Sequence, residues 1–209
     1  MPNSIIVRLR RDSQVGKPPT RKKMNTEKTG IPDLLVMTPR RFGDERGFFA
    51  ETWNARKFTN ATGVDATFVQ DNHSFSSEAG TIRGLHFQKP PNAQGKLVRC
   101  GRGALLDVAV DIRKGSPTYG AWASVELSAE NGKQLWVPEG FAHGFITKSA
   151  STEIVYKCTG YYAPEAEGAV HWASLDIDWG IHGNPIISDK DASAPDFAQL
   201  NSPFEWSGM

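Results

Sequence analysis

The sequence predicts an all-β fold, a sandwich or barrel of many short strands with a few short helices. Three observations predict it. From Ile31 onward, short apolar runs alternate with polar residues at a period of two. Turn-forming clusters separate the runs at short, regular intervals. Apolar spacing of the helical kind is scarce.

In chain order, residues 1–30 carry Pro, Lys, Arg, Thr and Gly with little apolar periodicity, and read as a basic, disordered arm. Residues 31–209 read as one domain, with a C-terminal tail from about residue 192. The run Trp53-Asn54-Ala55-Arg56-Lys57-Phe58 is a candidate short helix. In Asp107-Val108-Ala109-Val110-Asp111-Ile112, the residues Val108, Val110 and Ile112 share one strand face. In Ala121–Leu127, Ala123, Val125 and Leu127 alternate with Trp122, Ser124 and Glu126. The turn signals are Lys114-Gly115-Ser116-Pro117, Glu130-Asn131-Gly132 and Pro138-Glu139-Gly140. The tail, Phe197 to Trp206, has apolar residues without a clear period and is not placed by pattern.

Composition narrows the function. A length of 209 residues suits one domain with a sizeable core. A net charge of +1 lacks the one-sided basic excess of a general nucleic-acid binder. No apolar run approaches the roughly 20 residues of a membrane span. The N-terminus has no apolar core or cleavage site of a secretory signal. Cys100 and Cys158 make neither a metal motif nor a disulfide framework. Both sit in strand-like runs and read as buried free thiols, which suits a cytoplasmic protein.

Five polar segments lie among the strands: Asp44–Glu51, Gln70–Ser74, Arg83–Gln88, Glu139–Phe145 and Tyr156–Tyr162. Charged groups inside strands cost free energy unless they are paired or line a cavity. The mouth of a small barrel provides one. On its own, His86 reads as a hydrogen-bonded structural histidine, His143 in its Pro-x-Gly-x-x-His turn reads as functional ahead of a backbone-bonded histidine, and His73, His171 and His182 read as surface or turn histidines. Tyr156 shares a strand face with Ile154 and Cys158 and reads as core. Lys96 reads as a loop lysine, and Asp191 as a turn cap. Trp122, Trp136, Trp172 and Trp179 read as core or interface.

The stretch from Gly132 runs through Pro138 and Gly140 to His143, and it resembles the second motif of the cupin superfamily. The resemblance implies a double-stranded β-helix, a jelly-roll-like barrel. Where a metal-binding cupin has two histidines and a glutamate, this chain reads His86-Phe87-Gln88. No metal and no cofactor is therefore expected.

Longer motifs narrow the resemblance. Arg41–Phe49, Phe68–Ser74, Arg83–Gln88, Lys96–Cys100, Leu135–Pro138, Tyr156-Lys157, Tyr161–Glu165 and Ser188–Asp191 are similar to the dTDP-4-dehydrorhamnose 3,5-epimerase family. The match spans about Ile31 to Asp191. The family's substrate is a dTDP-linked 4-keto-6-deoxy sugar whose C3 and C5 both flank the C4 ketone. Inversion there needs a base, an enolate stabiliser and an acid on the far face. The resemblance implies His86 as base, Asp191 as its orienting carboxylate, Tyr156 as acid, and Lys96 beside the developing oxyanion. It implies that Arg83 and His143 lie near the sugar. Arg46, Glu51, Gln70, Asn72, Glu167 and Lys190 match nucleotide and diphosphate contacts, Asp71 falls in the same substrate-binding motif, and Phe49 packs on thymine.

It also implies a homodimer in which an N-terminal segment carrying Arg46, Phe49 and Glu51 crosses to the neighbouring subunit. The family pattern begins about twenty residues before Arg41-Phe42-Gly43-Asp44. Residues 1–23 then read as an extension or a misassigned start, with Met24 the expected first residue. Arg83 and His86 are three apart, so a regular strand places them on opposite faces. A bulge at Gly84 would reconcile them, as would Arg83 serving a different wall of the site. Two other functions stay open: a related enzyme that inverts only C3 or only C5, and a catalytically silent cupin that binds a sugar nucleotide.

Overall fold

A computed structural model describes residues 25–181 and 183–208. The expectations for residues 1–23, Met24 and His182 lie outside the described residues. The first strands are β1 (Asn25–Lys28), β2 (Leu35–Thr38), β3 (Arg41–Asp44) and β4 (Gly47–Ala50), followed by helix α1 (Ala55–Thr62). Next come β5 (Gln70–Ser76), β6 (Ile82–Gln88), β7 (Lys96–Arg102), β8 (Ala104–Asp111) and β9 (Trp122–Ser128). The last strands are β10 (Gln134–Val137), β11 (Phe141–Thr147), β12 (Thr152–Cys158) and β13 (Glu167–Ala169), followed by helix α2 (Asp189–Ala192).

The strands form two main sheets, ordered β1-β2-β10-β7-β12-β5 and β13-β6-β11-β8-β9, and a separate β3-β4 ribbon. All pairings between these strands are antiparallel. This is the cupin-type jelly roll expected from the sequence.

Period-two alternation assigns each strand's faces. Val98, Leu135 and Ile154 from the first sheet meet Leu105, Ala109, Leu127 and Phe145 from the second, and this is the core between the sheets. The other face of the five-stranded sheet, with Val108, Val110 and Ile112 side by side as expected, is covered by Ile177, Trp179 and Phe204. The C-terminal tail thus completes the domain. Ser202 Oγ donates to the Ile112 carbonyl, and the Lys114 amide donates to the Phe204 carbonyl at 2.9 Å.

On the far face of the six-stranded sheet, Phe58 of α1 packs on Met37, Leu97 and Trp136. Burying an aromatic side chain of this kind contributes about 1.5–3 kcal/mol. The helix is offset from its expected start at Trp53. Asn54 Oδ1 accepts from the Lys57 amide at 3.1 Å and caps the first turn, which excludes Trp53 from the helix. Trp53 packs instead beside Phe58, ring centroids 5.1 Å apart. Gly63 closes the helix in the left-handed conformation, with φ of 75°.

The sheet includes residues before Ile31. Asn25–Lys28 pair in full register with Leu35–Thr38, so the last part of the expected arm belongs to the sheet. A strand of exposed polar residues at a sheet edge carries no apolar alternation for a sequence reading to detect.

Candidate active site

A cavity of about 590 Å³ opens at one end of the barrel. Strand register decides which side chains reach it. On β5, Gln70 and Asn72 point inward, whereas Asp71 points outward. Asp71 pairs with Lys157 at 3.1 Å on the outer face, apart from the cavity lining. On the first sheet, Gln70, Cys158 and Lys96 lie in one cross-strand row, and Asn72, Tyr156 and Val98 in the next. On the second sheet, one row runs Ala169, His86, His143, Ala109 and Ala123. His86 and Tyr156 therefore line the same cavity from opposite sheets.

The spacing of Arg83 and His86 is resolved by a bulge. His86 pairs with His143, but Arg83 pairs with Phe145, so three steps along β6 match two along β11. Gly84 takes φ of 129°, and a Cβ there would lie 2.5 Å from the Gly144 Cα. Only glycine permits that approach. The extra residue places Arg83 and His86 on the same face. Arg83 flanks the cavity, reaching Ser76 Oγ at 3.5 Å and the Phe75 carbonyl at 3.3 Å.

His86 Nε2 lies 2.6 Å from Asp191 Oδ1. Asp191 is buried, and its Oδ2 accepts from the Gly84 amide at 3.3 Å. Its own amide is held by Ser188 Oγ, the cap of α2, so this short helix aims the carboxylate at β6. Burial raises the Asp191 pKa, but His86 and the Gly84 amide outweigh it and leave the carboxyl below its usual range. An ionised Asp191 accepts the Nε2 proton and leaves Nδ1 as the basic nitrogen of His86.

Across the cavity, burial pushes the Tyr156 phenol up, as does Cys158, while the charge of Arg83 opposes both. The phenol thus stays protonated at neutral pH. Lys96, partly buried beside the cavity, has its pKa lowered by desolvation, with Cys158 and Asp107 countering. At the rim, Glu167 accepts from Lys190 Nζ at 2.5 Å and from the Tyr162 hydroxyl at 3.0 Å. The Lys190 ammonium holds the Glu167 carboxyl down.

The structure thus brings His86, Asp191, Tyr156, Lys96, Gln70, Asn72, Glu167 and Lys190 together. His143 is buried behind His86. Arg46, Phe49 and Glu51 are not among the cavity-lining residues. Arg46 and Phe49 sit on the exposed β3-β4 ribbon, and Glu51 pairs with Lys57 of α1 at 2.6 Å. Sequence reasoning assigned no role to Tyr162, Gln88 or Asp107. Tyr162 and Gln88 lay inside quoted motifs. Asp107 carried a signal of its own, a carboxylate on the inward face of an apolar strand. Among the described residues, no three His, Cys, Asp or Glu side chains group to hold a metal ion.

A carboxylate-backed imidazole and a protonated phenol on the opposite wall are the groups that acid–base proton transfer needs. The fold is that of a cupin-type protein, and its site is equipped for that chemistry. A family model described as dTDP-4-dehydrorhamnose 3,5-epimerase matches residues 28–199. The dTDP-4-dehydrorhamnose 3,5-epimerase of Salmonella typhimurium is 56% identical over 170 residues, covering 80% of this chain and 92% of the relative. A crystal structure of the dTDP-6-deoxy-D-glucose-3,5-epimerase from Legionella pneumophila, in complex with dTDP-4-keto-L-rhamnose, superposes with a TM-score of 0.85. It is 44% identical and covers 88% of this chain and 100% of its own. A double variant, His→Asn and Tyr→Phe, of ChmJ, a 3'-monoepimerase from Streptomyces bikiniensis, in complex with dTDP, is 34% identical. Its TM-score is 0.76, with 80% of this chain and 85% of its own covered. This chain belongs to the dTDP-4-dehydrorhamnose 3,5-epimerase family, a family of isomerases.

Proposed function

We propose that this chain converts dTDP-4-dehydro-6-deoxy-D-glucose to dTDP-4-dehydro-L-rhamnose by inverting C3 and C5 in turn. One observation carries the reading: His86 and Tyr156 line one cavity from opposite sheets, as an inversion of carbon requires. His86 Nδ1 takes the proton alpha to the ketone, and the electron pair moves onto the C4 oxygen. The Lys96 ammonium stabilises that enolate in a partly desolvated site, where a fixed charge acts most strongly. Tyr156 delivers a proton to the opposite face. Each inversion leaves His86 protonated and Tyr156 ionised, so solvent must reset both. Asp191 stabilises the imidazolium in the interval.

The ChmJ double variant supports the pair. Its substituted His and Tyr are 70 positions apart, the separation of His86 from Tyr156. The same protein keeps a second reading in view, since it is described as a 3'-monoepimerase. The higher identity to 3,5-epimerases favours double inversion.

Gln70, Asn72, Glu167 and Lys190 are proposed to hold the nucleotide diphosphate, with Lys190 supplying positive charge. We assign Arg46, Phe49 and Glu51 to the pocket of a second copy of this chain, in a homodimer with an exchanged N-terminal segment. In support, Phe49 is 69% exposed on a ribbon whose residues do not line the cavity of their own subunit. The buried free thiols Cys100 and Cys158 support a reducing, cytoplasmic setting.

Incubation with dTDP-4-dehydro-6-deoxy-D-glucose in deuterated water tests the reaction. NMR should show deuterium at both C3 and C5. Exchange at one carbon selects the monoepimerase reading, and exchange at neither rejects enzymatic epimerisation of this substrate. Light scattering should give a dimer mass. Mixing inactive His86→Asn and Arg46→Ala subunits should restore part of the activity if the pocket is shared.

A further inference from the structure

Two buried side-chain polar atoms lack a hydrogen-bond partner among the described residues, Ser74 Oγ and Asp107 Oδ2. Both occupy inward positions of the barrel. A lone hydroxyl is a modest cost, but half of a buried carboxylate without a partner is a large one. Asp107 is fully buried. Its other oxygen, Oδ1, lies 2.5 Å from His143 Nε2. The protein therefore contains a second carboxylate–imidazole pair, whose histidine is the direct cross-strand partner of His86.

We infer that Asp107 is a positioning residue of the epimerisation: Oδ1 fixes the tautomer of His143, and the carboxylate is the buried counter-charge of Lys96. The inference rests on the function proposed above. Asp107 Oδ1 accepts a hydrogen bond from His143 Nε2–H, so His143 presents its Nδ1 lone pair. Lys96 starts β7 and Asp107 lies on β8, the next strand in the chain, and both point inward. Taking an ammonium out of water is costly unless a charge of opposite sign accompanies it.

Lys96 has few partners for that purpose. Cys158 and Tyr156 come from β12, His143 from β11, His86 and Arg83 from β6, and Glu167, paired with Lys190, from β13 at the rim; Asp107 is the carboxylate that acts on Lys96. β5, β9 and β10 turn no titratable group inward. Burial lowers the Lys96 pKa, and Asp107 opposes that shift. An enolate stabiliser must carry its charge, so the alkaline limit of turnover depends on Asp107.

The test compares Asp107→Asn with the parent enzyme, using steady-state turnover against pH. The variant should lose about 10²-fold in kcat, the scale of a lost electrostatic contact, with KM changed less than threefold. The alkaline limb of its kcat profile should move to lower pH. An unmoved limb overturns the inference, because a purely structural carboxylate would not set it. If Asp107→Asn does not fold, Asp107→Glu carries the test. It keeps the charge, so its limb should stay at the parent pH while kcat falls about tenfold from altered geometry; parent kcat in this variant also overturns the inference. Deuterium exchange by the parent enzyme is read in parallel. Its absence rejects the proposed reaction, whereas exchange with an unmoved limb rejects only the role of Asp107.

Discussion

His86 Nε2 and Asp191 Oδ1 lie 2.6 Å apart although 105 residues separate them in the chain. The bulge at Gly84 completes the arrangement by donating its amide to the other oxygen of Asp191. Asp191→Asn should lower kcat by about 10²–10⁴-fold, because an amide fixes the wrong tautomer or leaves the imidazolium unsupported. Affinity for the dTDP sugar, measured by calorimetry, should change little. Turnover at the parent rate would refute the role of Asp191.

Tyr156→Phe should separate the two halves of the reaction. His86 still removes the proton, so deuterium from solvent enters the substrate. Return from the opposite face fails, so inverted product should fall by about 10²–10³-fold relative to exchange. NMR in deuterated water reads both. Parallel loss of exchange and inversion would remove Tyr156 from the acid role.

Lys96→Met should make the protein inactive and more stable at once. Burial holds the Lys96 pKa below its ordinary value. Between the two values the unfolded chain binds more protons than the folded one, so stability rises with pH through that window. Below it, the folded state bears the full cost of the charge, and methionine relieves it. The variant should melt higher at pH 7, with the difference shrinking toward pH 10, while kcat falls by about 10²-fold or more. A gap that does not change with pH would contradict this account.

Gly84→Ala tests the bulge. Its Cβ would meet Gly144 Cα at 2.5 Å and the His143 carbonyl oxygen at 2.9 Å, both backbone atoms that cannot yield alone. The cost should be about 3 kcal/mol, or a fall in Tm of about 6–12 °C. Gly63→Ala is the control, since Gly63 also has a positive φ, of 75°, but open space around it, and should cost about 1 kcal/mol. Equal losses would mean that the close approach of β6 and β11 is not limiting.

Acid unfolding should track Asp111. Burial raises its pKa, but Arg113, Ser116 and Thr118 bond to it and leave it lowered. Its contribution is complete above the ordinary carboxylate range and is lost as pH falls toward the depressed folded value. Asp111→Asn should cost about 1–3 kcal/mol at pH 7, because Arg113 loses its buried partner but keeps Asp33 at 2.7 Å. Urea titrations should show a smaller difference from the parent at pH 3 than at pH 7.

The candidate site was legible to unequal depths. Tyr156, Ile154 and Cys158 share an inward face, as period-two alternation requires, and Val108, Val110 and Ile112 share the opposite kind of face on β8. The same rule turns Asp71 away from the cavity although its neighbours Gln70 and Asn72 reach it. Motif membership alone grouped all three, because a motif names positions without saying which way a pleat points them.

By itself the sequence determined the strand-rich class, the faces of its alternating strands, the short helix that carries Phe58, and the family. These follow from neighbours in the chain, where sterics and periodicity act locally. Tertiary structure brought Asp191, which the family resemblance had assigned to His86, within 2.6 Å of it, and decided that Asp107 pairs with His143 and that the tail ending at Phe204 seals the second sheet. Those contacts join residues tens of positions apart. Closing such loops costs entropy that only the packing of the whole barrel repays, so no local stretch of sequence reveals them.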